Sequence, residues 1–325
     1  MTLSSSLKIV LVLALLWPAV SCASDNYGDN PAAMAMVDEL VEEEGFEREQ
    51  LRRVFADAER KDSILEAIAR PAEKTKAWYE YRAIFINDKR LSQGLEFFEE
   101  HRETLERAER EFGVPAEIIV AIIGVETYYG RVAGSYRVID ALSTLAFDYP
   151  RRSEFFSKEL KNYLILTRDQ GMDPLQLKGS YAGAMGYGQF MPSSYRNYAV
   201  DFDGDEVIDI WASPVDAIGS VANYFKQHGW RSGEAVVSAA RLEQDLPQEM
   251  WIQGRKLKPQ FTVAEFAAAG LVAEDELDPA ALVSAMKFEL EEGYEYWLGL
   301  QNFYVITRYN ISAMYAMSVY QLSQQ

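Results

Sequence analysis

Val114-Pro115-Ala116-Glu117-Ile118-Ile119-Val120-Ala121-Ile122-Ile123-Gly124-Val125-Glu126 is the most apolar helix-like run beyond the N-terminal leader. Pro115 suits a first helical turn, where its missing N–H would be unpaired anyway. Gly130 is expected to stop the helix four residues past the glutamate. Apolar side chains occupy every face, which predicts a buried helix rather than a surface one. Ile118, Ile119 and Ile122 lie one or two turns behind Glu126, on or near its side. A carboxylate there loses hydration and faces the negative end of the helix dipole. Both effects raise its pKa, burial the more strongly, toward the ~6 or above that suits a general acid at neutral pH. The alternative is a glutamate just past the helix end, turned to solvent and without chemistry.

Working outward, a chain of 325 residues with 49% apolar side chains can bury a large core, as one domain or as two or three packed together. That composition argues against disorder. A formal charge of −18 argues against nucleic acid, or an anionic membrane surface, as the main partner. At the N-terminus Lys8 precedes an apolar stretch, Ile9 to Trp17, too short to span a bilayer comfortably, then Pro18-Ala19-Val20-Ser21-Cys22-Ala23-Ser24. Cys22 is the sole cysteine, so it forms no internal disulfide. Its place after the apolar stretch resembles the lipobox of bacterial lipoproteins, with Ala19 where that motif has leucine. A lipoprotein leader over 1–21 and a lipidated Cys22 are therefore expected; ordinary signal cleavage, for instance after Ala23, is the alternative. By the same resemblance Ala23 favours the periplasmic face of the outer membrane, with the soluble periplasm as the other destination. Export is expected either way.

Residues 22–30 read as a linker, and 31–112 as an N-terminal region of amphipathic helices in which Leu91, Leu95, Phe98, Leu105 and Phe112 share a helix face. Trp78, Tyr79 and Tyr81 read as packing residues, and His101 as solvated. Residues 153–170 form a further helix ended by Gly171. Next come four glycines within ten residues, Gly179, Gly183, Gly186 and Gly188, interleaved with Tyr181, Met185, Tyr187, Gln189 and Phe190. That mixture allows close backbone approach beside flat rings and amides, a wall suited to a sugar chain or simply a loop that packs.

Asp201, Asp203 and Asp205 occupy the first, third and fifth positions of a helix–loop–helix calcium loop, with Ile208 at its apolar position. Glu206 replaces the expected glycine and Ala212 the closing glutamate, while Asp216 could close a longer loop over 201–216. An acidic turn that binds nothing tightly is the alternative. A buried helix from Pro214 to Phe225, ending near Gly229, follows, and His228 has no metal-binding neighbour in sequence. Between 231 and 299 the period shifts to strands. Leu282, Ser284, Met286, Phe288 and Leu290 alternate with Val283, Ala285, Lys287 and Glu289, and Gly293 leads to Tyr294, Tyr296 and Leu298. With a strand near Val236 and a short helix over 262–269, this predicts a small α+β insertion. Residues 300–325 return to one C-terminal helix.

Val125-Glu126-Thr127 with Tyr129-Gly130, then Gly183-Ala184-Met185-Gly186 running into Gln189-Phe190-Met191-Pro192-Ser193-Ser194-Tyr195, and last Ile306-Thr307-Arg308-Tyr309-Asn310 occur in that order. Together they resemble the lytic murein transglycosylase B family, from about residue 32 to the C-terminus. The resemblance implies a mainly α (α+β) fold: a goose-type-lysozyme-like catalytic core over 113–230, completed by the C-terminal helix. It implies cleavage of the MurNAc–GlcNAc bond of peptidoglycan glycan strands by a single acid at the position of Glu126. Ser180, Gln189, Tyr309, Asn310 and Tyr315 match its groove positions, and Asp201, Asp203, Asp205 and Asp216 its calcium loop. No cofactor enters the chemistry; a structural calcium ion, a monomeric enzyme and no nucleic-acid partner are expected. The alternatives are a hydrolytic muramidase of the same fold and a catalytically silent peptidoglycan-binding lipoprotein. A calcium sensor is disfavoured, because one imperfect loop lacks the paired partner through which sensors respond.

Overall fold

The computed structural model describes residues 26–69 and 76–325. The N-terminal half is helical: α1 (Pro31–Glu44), α2 (Arg48–Asp57), α3 (Asp62–Ala69), α4 (Trp78–Phe85), α5 (Asp88–Glu100) and α6 (Arg102–Phe112). The central part holds α7 (Ala116–Thr127), β1 (Tyr136–Arg137), α8 (Val138–Asp148), α9 (Ser153–Asp169), β2 (Lys178–Gly179), α10 (Pro192–Tyr198) and α11 (Pro214–Gln227). The remainder runs β3 (Val237–Leu242), β4 (Phe261–Thr262), α12 (Val263–Ala269), β5 (Leu271–Ala273), β6 (Leu282–Glu289), β7 (Tyr294–Gly299), α13 (Gln301–Tyr309) and α14 (Ala313–Ser323).

Local chemistry sets most of these boundaries. Asn30 caps α1 by accepting from the Ala32 and Ala33 N–H groups, Pro31 opens the helix, and Gly45 closes it in the left-handed region. Ser213 and Pro214 start α11 in the same way. Thr262 and Glu265 form a reciprocal capping box on α12.

α7 is the axis of the molecule. It packs against α5, α6, α11 and α14, and Ile119, Ile122 and Ile123 are fully buried. One continuous core extends from Tyr27 to Leu322, so the region 31–112 shares its interior with the central part rather than packing as a separate unit. The stretch 26–30 is also part of that body and is not a linker. Tyr27 is buried, its N–H donates to the Phe55 carbonyl at 3.0 Å, and its hydroxyl donates to Asp148 Oδ2 at 2.6 Å.

The insertion is a five-stranded antiparallel sheet in the order β4-β6-β7-β3-β5, with α12 on it and a small core of its own around Phe266, Leu271 and Leu298. The simple alternation expected along β6 holds only at its end. Val283 and Ala285 are buried as fully as Met286, and Leu282 is exposed, because the two faces of the strand are covered by different cores. The insertion is tied to the helical body by Trp78, which is buried, packs its ring tilted against Phe288 at 4.9 Å and donates from Nε1 to Glu295 Oε1 at 2.6 Å.

Two further expectations need correcting. The long helical face of 91–112 is divided at His101, which ends α5 and precedes α6; Phe97 enters the core while Leu95 is 57% exposed. His101 itself is half-buried and packs edge-on against Phe97 at 4.5 Å; loss of hydration lowers its pKa. The single C-terminal helix is two helices, interrupted at Asn310, where the backbone is extended, with Ser312 capping α14.

Candidate active site

Glu126 stands on the last turn of α7. Protein surrounds its carboxyl closely enough to strip hydration, yet the residue is only half-buried, open on one side as an acid that meets a substrate must be. Burial pushes its pKa up from an ordinary 4.5 to about 7, and a hydrogen bond from the Tyr315 hydroxyl to Oε1, at 2.5 Å, opposes that rise. The other ionisable groups that feel its charge are Tyr309 and Tyr81; all three tyrosine hydroxyls are raised above their ordinary pKa, by burial first and Glu126 next. Among the described residues no second carboxylate acts on Glu126.

The end of α7 differs from expectation. Tyr128, not Gly130, breaks the helix, and Tyr128, Tyr129 and Gly130 all lie in the left-handed region, at φ 55°, 59° and 82°. For two tyrosines this costs about 1–2 kcal/mol each, so neighbours must hold them. Thr127 Oγ accepts from the Gly130 N–H at 3.0 Å and donates to the Tyr187 carbonyl at 2.8 Å, with the Ile123 carbonyl at 3.2 Å the alternative acceptor. The Tyr129 hydroxyl donates to the Arg90 carbonyl at 3.0 Å, and its ring fits only because Gly124 has no Cβ, which would come within 2.6 Å of it. The buried Arg90 guanidinium lies 4.0 Å over the Tyr128 ring, a cation–π contact where ordinary acceptors are missing. At the other end of α7 the helix starts at Ala116, with Pro115 as its cap.

The glycine-rich stretch forms the wall facing this turn. Ser180 Oγ accepts from the Ala182 and Ala184 N–H groups, so this side chain shapes the loop from within. Met185 and Phe190 exchange backbone hydrogen bonds at 2.9 and 3.0 Å, closing a tight hairpin whose tip holds Gln189 at φ 51°. Gln189 Nε2 donates to the Ala133 and Gly186 carbonyls, both at 3.1 Å, joining the wall to the loop after α7. The Tyr309 hydroxyl donates to the Gly188 carbonyl at 2.5 Å. Tyr309, Asn310 and Tyr315 are brought together by the break between α13 and α14: Tyr315 is buried, Tyr309 half-buried and Asn310 exposed. Of the groove residues expected from sequence, Tyr315 bonds Glu126 directly and Tyr309 lies within its electrostatic reach, while Ser180 and Gln189 hold the wall.

Asp201, Asp203 and Asp205 each bring an oxygen within 4.8 Å of the others, a separation that one cation could bridge. Glu206 adopts φ 72°, so the residue that replaces the expected glycine still takes the left-handed turn. Asp216 stands apart from that trio. It is buried, and its carboxylate accepts from the N–H groups of Phe202, Asp203 and Asp209, bracing the loop from below.

Residues 29–324 match the model of the transglycosylase SLT domain. The chain belongs to that family. It is 47% identical, over 92% of its own length and 83% of the relative's, to membrane-bound lytic murein transglycosylase B of Escherichia coli K12. Its fold superposes with a TM-score of 0.89 on catenated lytic transglycosylase SltB1 from Pseudomonas aeruginosa, at 57% identity, covering 92% of this chain and 98% of the other. It superposes at 0.83 on Escherichia coli lytic transglycosylase Slt35 in complex with calcium, at 48% identity and 91% and 92% coverage. The fold is the lysozyme-like one of these transglycosylases.

Two residues of this transglycosylase escaped the sequence reading. Tyr81 reads as packing, yet α4 places it where the Glu126 charge helps raise its pKa; nothing in its local sequence marks that placement. Thr127 sits next to the acid, and a threonine at a helix end whose hydroxyl can bond a broken turn is a signal that was available. Cys22 lies outside the described residues. No helix among the described residues is long and apolar enough to cross a membrane.

Proposed function

We propose that this chain is a lytic murein transglycosylase in which Glu126 serves first as acid and then as base. The observation that supports this is a carboxyl with a pKa near 7 whose ionisable neighbours are neutral tyrosines and not a second carboxylate. Glycosidases that use water place two carboxyl groups about 5–10 Å apart. With one, the same group must act twice. Tyr315 occupies Oε1, which leaves Oε2 to carry the proton. Protonated Glu126 gives that proton to the glycosidic oxygen, the C1–O bond breaks, and GlcNAc leaves as an alcohol. The N-acetyl oxygen of MurNAc holds the electron-poor C1. The C6 hydroxyl then attacks C1, and its proton returns to Glu126, so the products are a free GlcNAc hydroxyl and a 1,6-anhydroMurNAc end with no water consumed. A pKa near neutrality serves both transfers.

Asp201, Asp203 and Asp205 hold a calcium ion in this reading, which would fix the loop between α10 and α11 and take no part in the chemistry. In this reading the enzyme acts as a monomer on glycan strands. A lipid on Cys22 holds the enzyme at the periplasmic face of the outer membrane. Digestion of purified sacculi, with products identified by mass, tests the central reaction: the anhydro product is one water lighter than the hydrolytic one. Reducing MurNAc ends would make the chain a muramidase, and no release at all would leave it a silent binder.

A further inference from the structure

We propose that the inserted lobe carries a second recognition site, which takes the carboxylate-bearing end of the peptide stems of peptidoglycan. This rests on reading the chain as a peptidoglycan enzyme. A cavity of about 280 Å³ opens on the lobe, lined by Trp251, Gln253, Lys256, Lys258, Gln260 and Phe261. Its floor is made by Phe266 and Val283, both fully buried. None of its lining residues belongs to the cleft around Glu126.

The charge of this mouth runs against the rest of the molecule. The chain has 50 acidic and 32 basic residues, yet Lys256 and Lys258 line this cavity against Glu249, the lone carboxylate of the lining. Beyond a Debye length of roughly 8 Å the repulsion of the wider surface is screened, so an approaching anion responds to the lysines at the mouth. Size then selects the ligand. Pockets that enclose a whole small molecule run about 300–1,000 Å³, so this one holds the end of a chain and not a disaccharide. Ammonium groups meet a carboxylate, the Gln253 and Gln260 amides suit peptide N–H and C=O groups, and the rings of Trp251 and Phe261 suit the methylene chain of a terminal diaminopimelate. A sugar acid would use the cations but not this apolar floor. The site is also built in advance. Trp251 pairs its backbone with Ala285 and packs its ring 5.8 Å from Tyr296, and Ile252 donates to the Ala285 carbonyl at 3.1 Å.

Each stem is linked to a MurNAc, so a lobe that grips one stem while the cleft grips the strand makes two-point contact with a sacculus and gains from effective concentration. The stem therefore raises the rate on intact sacculi beyond that on bare glycan.

The test uses the isotopically labelled, exported protein in detergent, with the tripeptide L-Ala-γ-D-Glu-meso-diaminopimelate as probe. The Trp251 indole N–H signal, assigned with Trp251→Phe, should shift on titration. Lys256→Glu with Lys258→Glu should weaken binding roughly tenfold, as two exposed ion pairs become repulsions. The same pair should slow release from sacculi several-fold and leave the rate on amidase-stripped glycan strands unchanged. Both lysines are exposed, so the fold should survive; if reversal unfolds the lobe, Lys256→Gln with Lys258→Gln serves instead and should give an intermediate loss. A tripeptide that moves no signal between 249 and 284, binding that survives reversal, or equal losses on both substrates would overturn the proposal. Wild type that frees no anhydro sugar from sacculi would instead defeat the underlying reaction, while the tripeptide titration would still decide whether the lobe binds a stem.

Discussion

Glu126 is held in a compromise between two environments. Burial favours its protonated form, and the Tyr315 hydroxyl, by donating to Oε1, favours the ionised one; burial wins and sets the pKa near 7. Activity should therefore fall as pH rises through about 7, because the first step starts from the protonated acid. Glu126→Gln should fold and lose activity by roughly a hundred- to ten-thousand-fold or more. Rates within a few fold of wild type would sink the assignment. The stability effect has a definite sign. A carboxyl whose folded pKa lies above its unfolded one binds more protons when folded, so stability falls as pH climbs from 4.5 through about 7. The amide escapes that penalty. Glu126→Gln should match wild type below pH 4.5 and exceed it above pH 7, by at most about 3 kcal/mol, since one face of the residue is open to water. Melting curves at several pH values check this. Tyr315→Phe removes the opposing hydrogen bond, so the alkaline limb of the activity profile should move to higher pH and the rate fall by about tenfold. A limb that moves downward would show that Tyr315 does not act on the acid.

The turn after α7 supports the acid from outside, whereas the acidic loop braces the fold. Gly130 lies at φ 82°, and a Cβ there would come within 2.1 Å of the Tyr187 ring. Gly130→Ala should cost on the order of 2–4 kcal/mol, a left-handed penalty plus a steric one, with a matching loss of activity. Gly254→Ala is the control. Its φ is 55° with nothing near, so it should carry the backbone cost alone. Equal losses in chemical denaturation would mean that the Tyr187 contact contributes nothing. In the loop between α10 and α11, Asp201→Ala with Asp205→Ala should abolish any calcium-dependent rise in melting temperature and spare activity at moderate temperature. At calcium a hundredfold above its Kd the lost stabilisation is about 2.7 kcal/mol. If wild type itself gains nothing from calcium, the trio is only an acidic turn.

At the scale of the molecule, one core joins both helical regions, and the inserted sheet is fastened to it through Trp78. Because Tyr27 is already docked in that core, few residues separate Cys22 from the folded body. Four steps of chain from Cys22 to Asn26 reach roughly 15 Å at most, so a lipidated enzyme would work close to the membrane surface. Cys22→Ala should release the protein into the soluble periplasmic fraction with its lytic activity intact, since one substitution removes the whole anchor. Wild type that partitions into the aqueous phase of a detergent extraction, with a mature N-terminus other than residue 22, would show that ordinary signal cleavage operates.

What the sequence by itself determined is what depends on near neighbours along the chain. The all-round apolar run made α7 buried and raised Glu126; the strand alternation marked β6 and β7; the aspartate spacing brought Asp201, Asp203 and Asp205 together. Such features are set by backbone periodicity and by contacts a few residues apart, and both are written in the residue order. The tertiary structure alone decided what depends on distant partners. Asn310 interrupts a pattern that reads as one helix, and the break turns Tyr315 onto a glutamate 189 residues earlier. Tyr128 is forced left-handed where Gly130 seemed the natural stop, because Thr127, Tyr187 and Arg90 offset the strain from elsewhere in the fold. Tyr81 feels the charge of Glu126, and Asp216 accepts from backbone N–H groups instead of joining the aspartate trio. These outcomes follow from packing between segments far apart in the chain, whose energies exceed local propensity and leave no local trace.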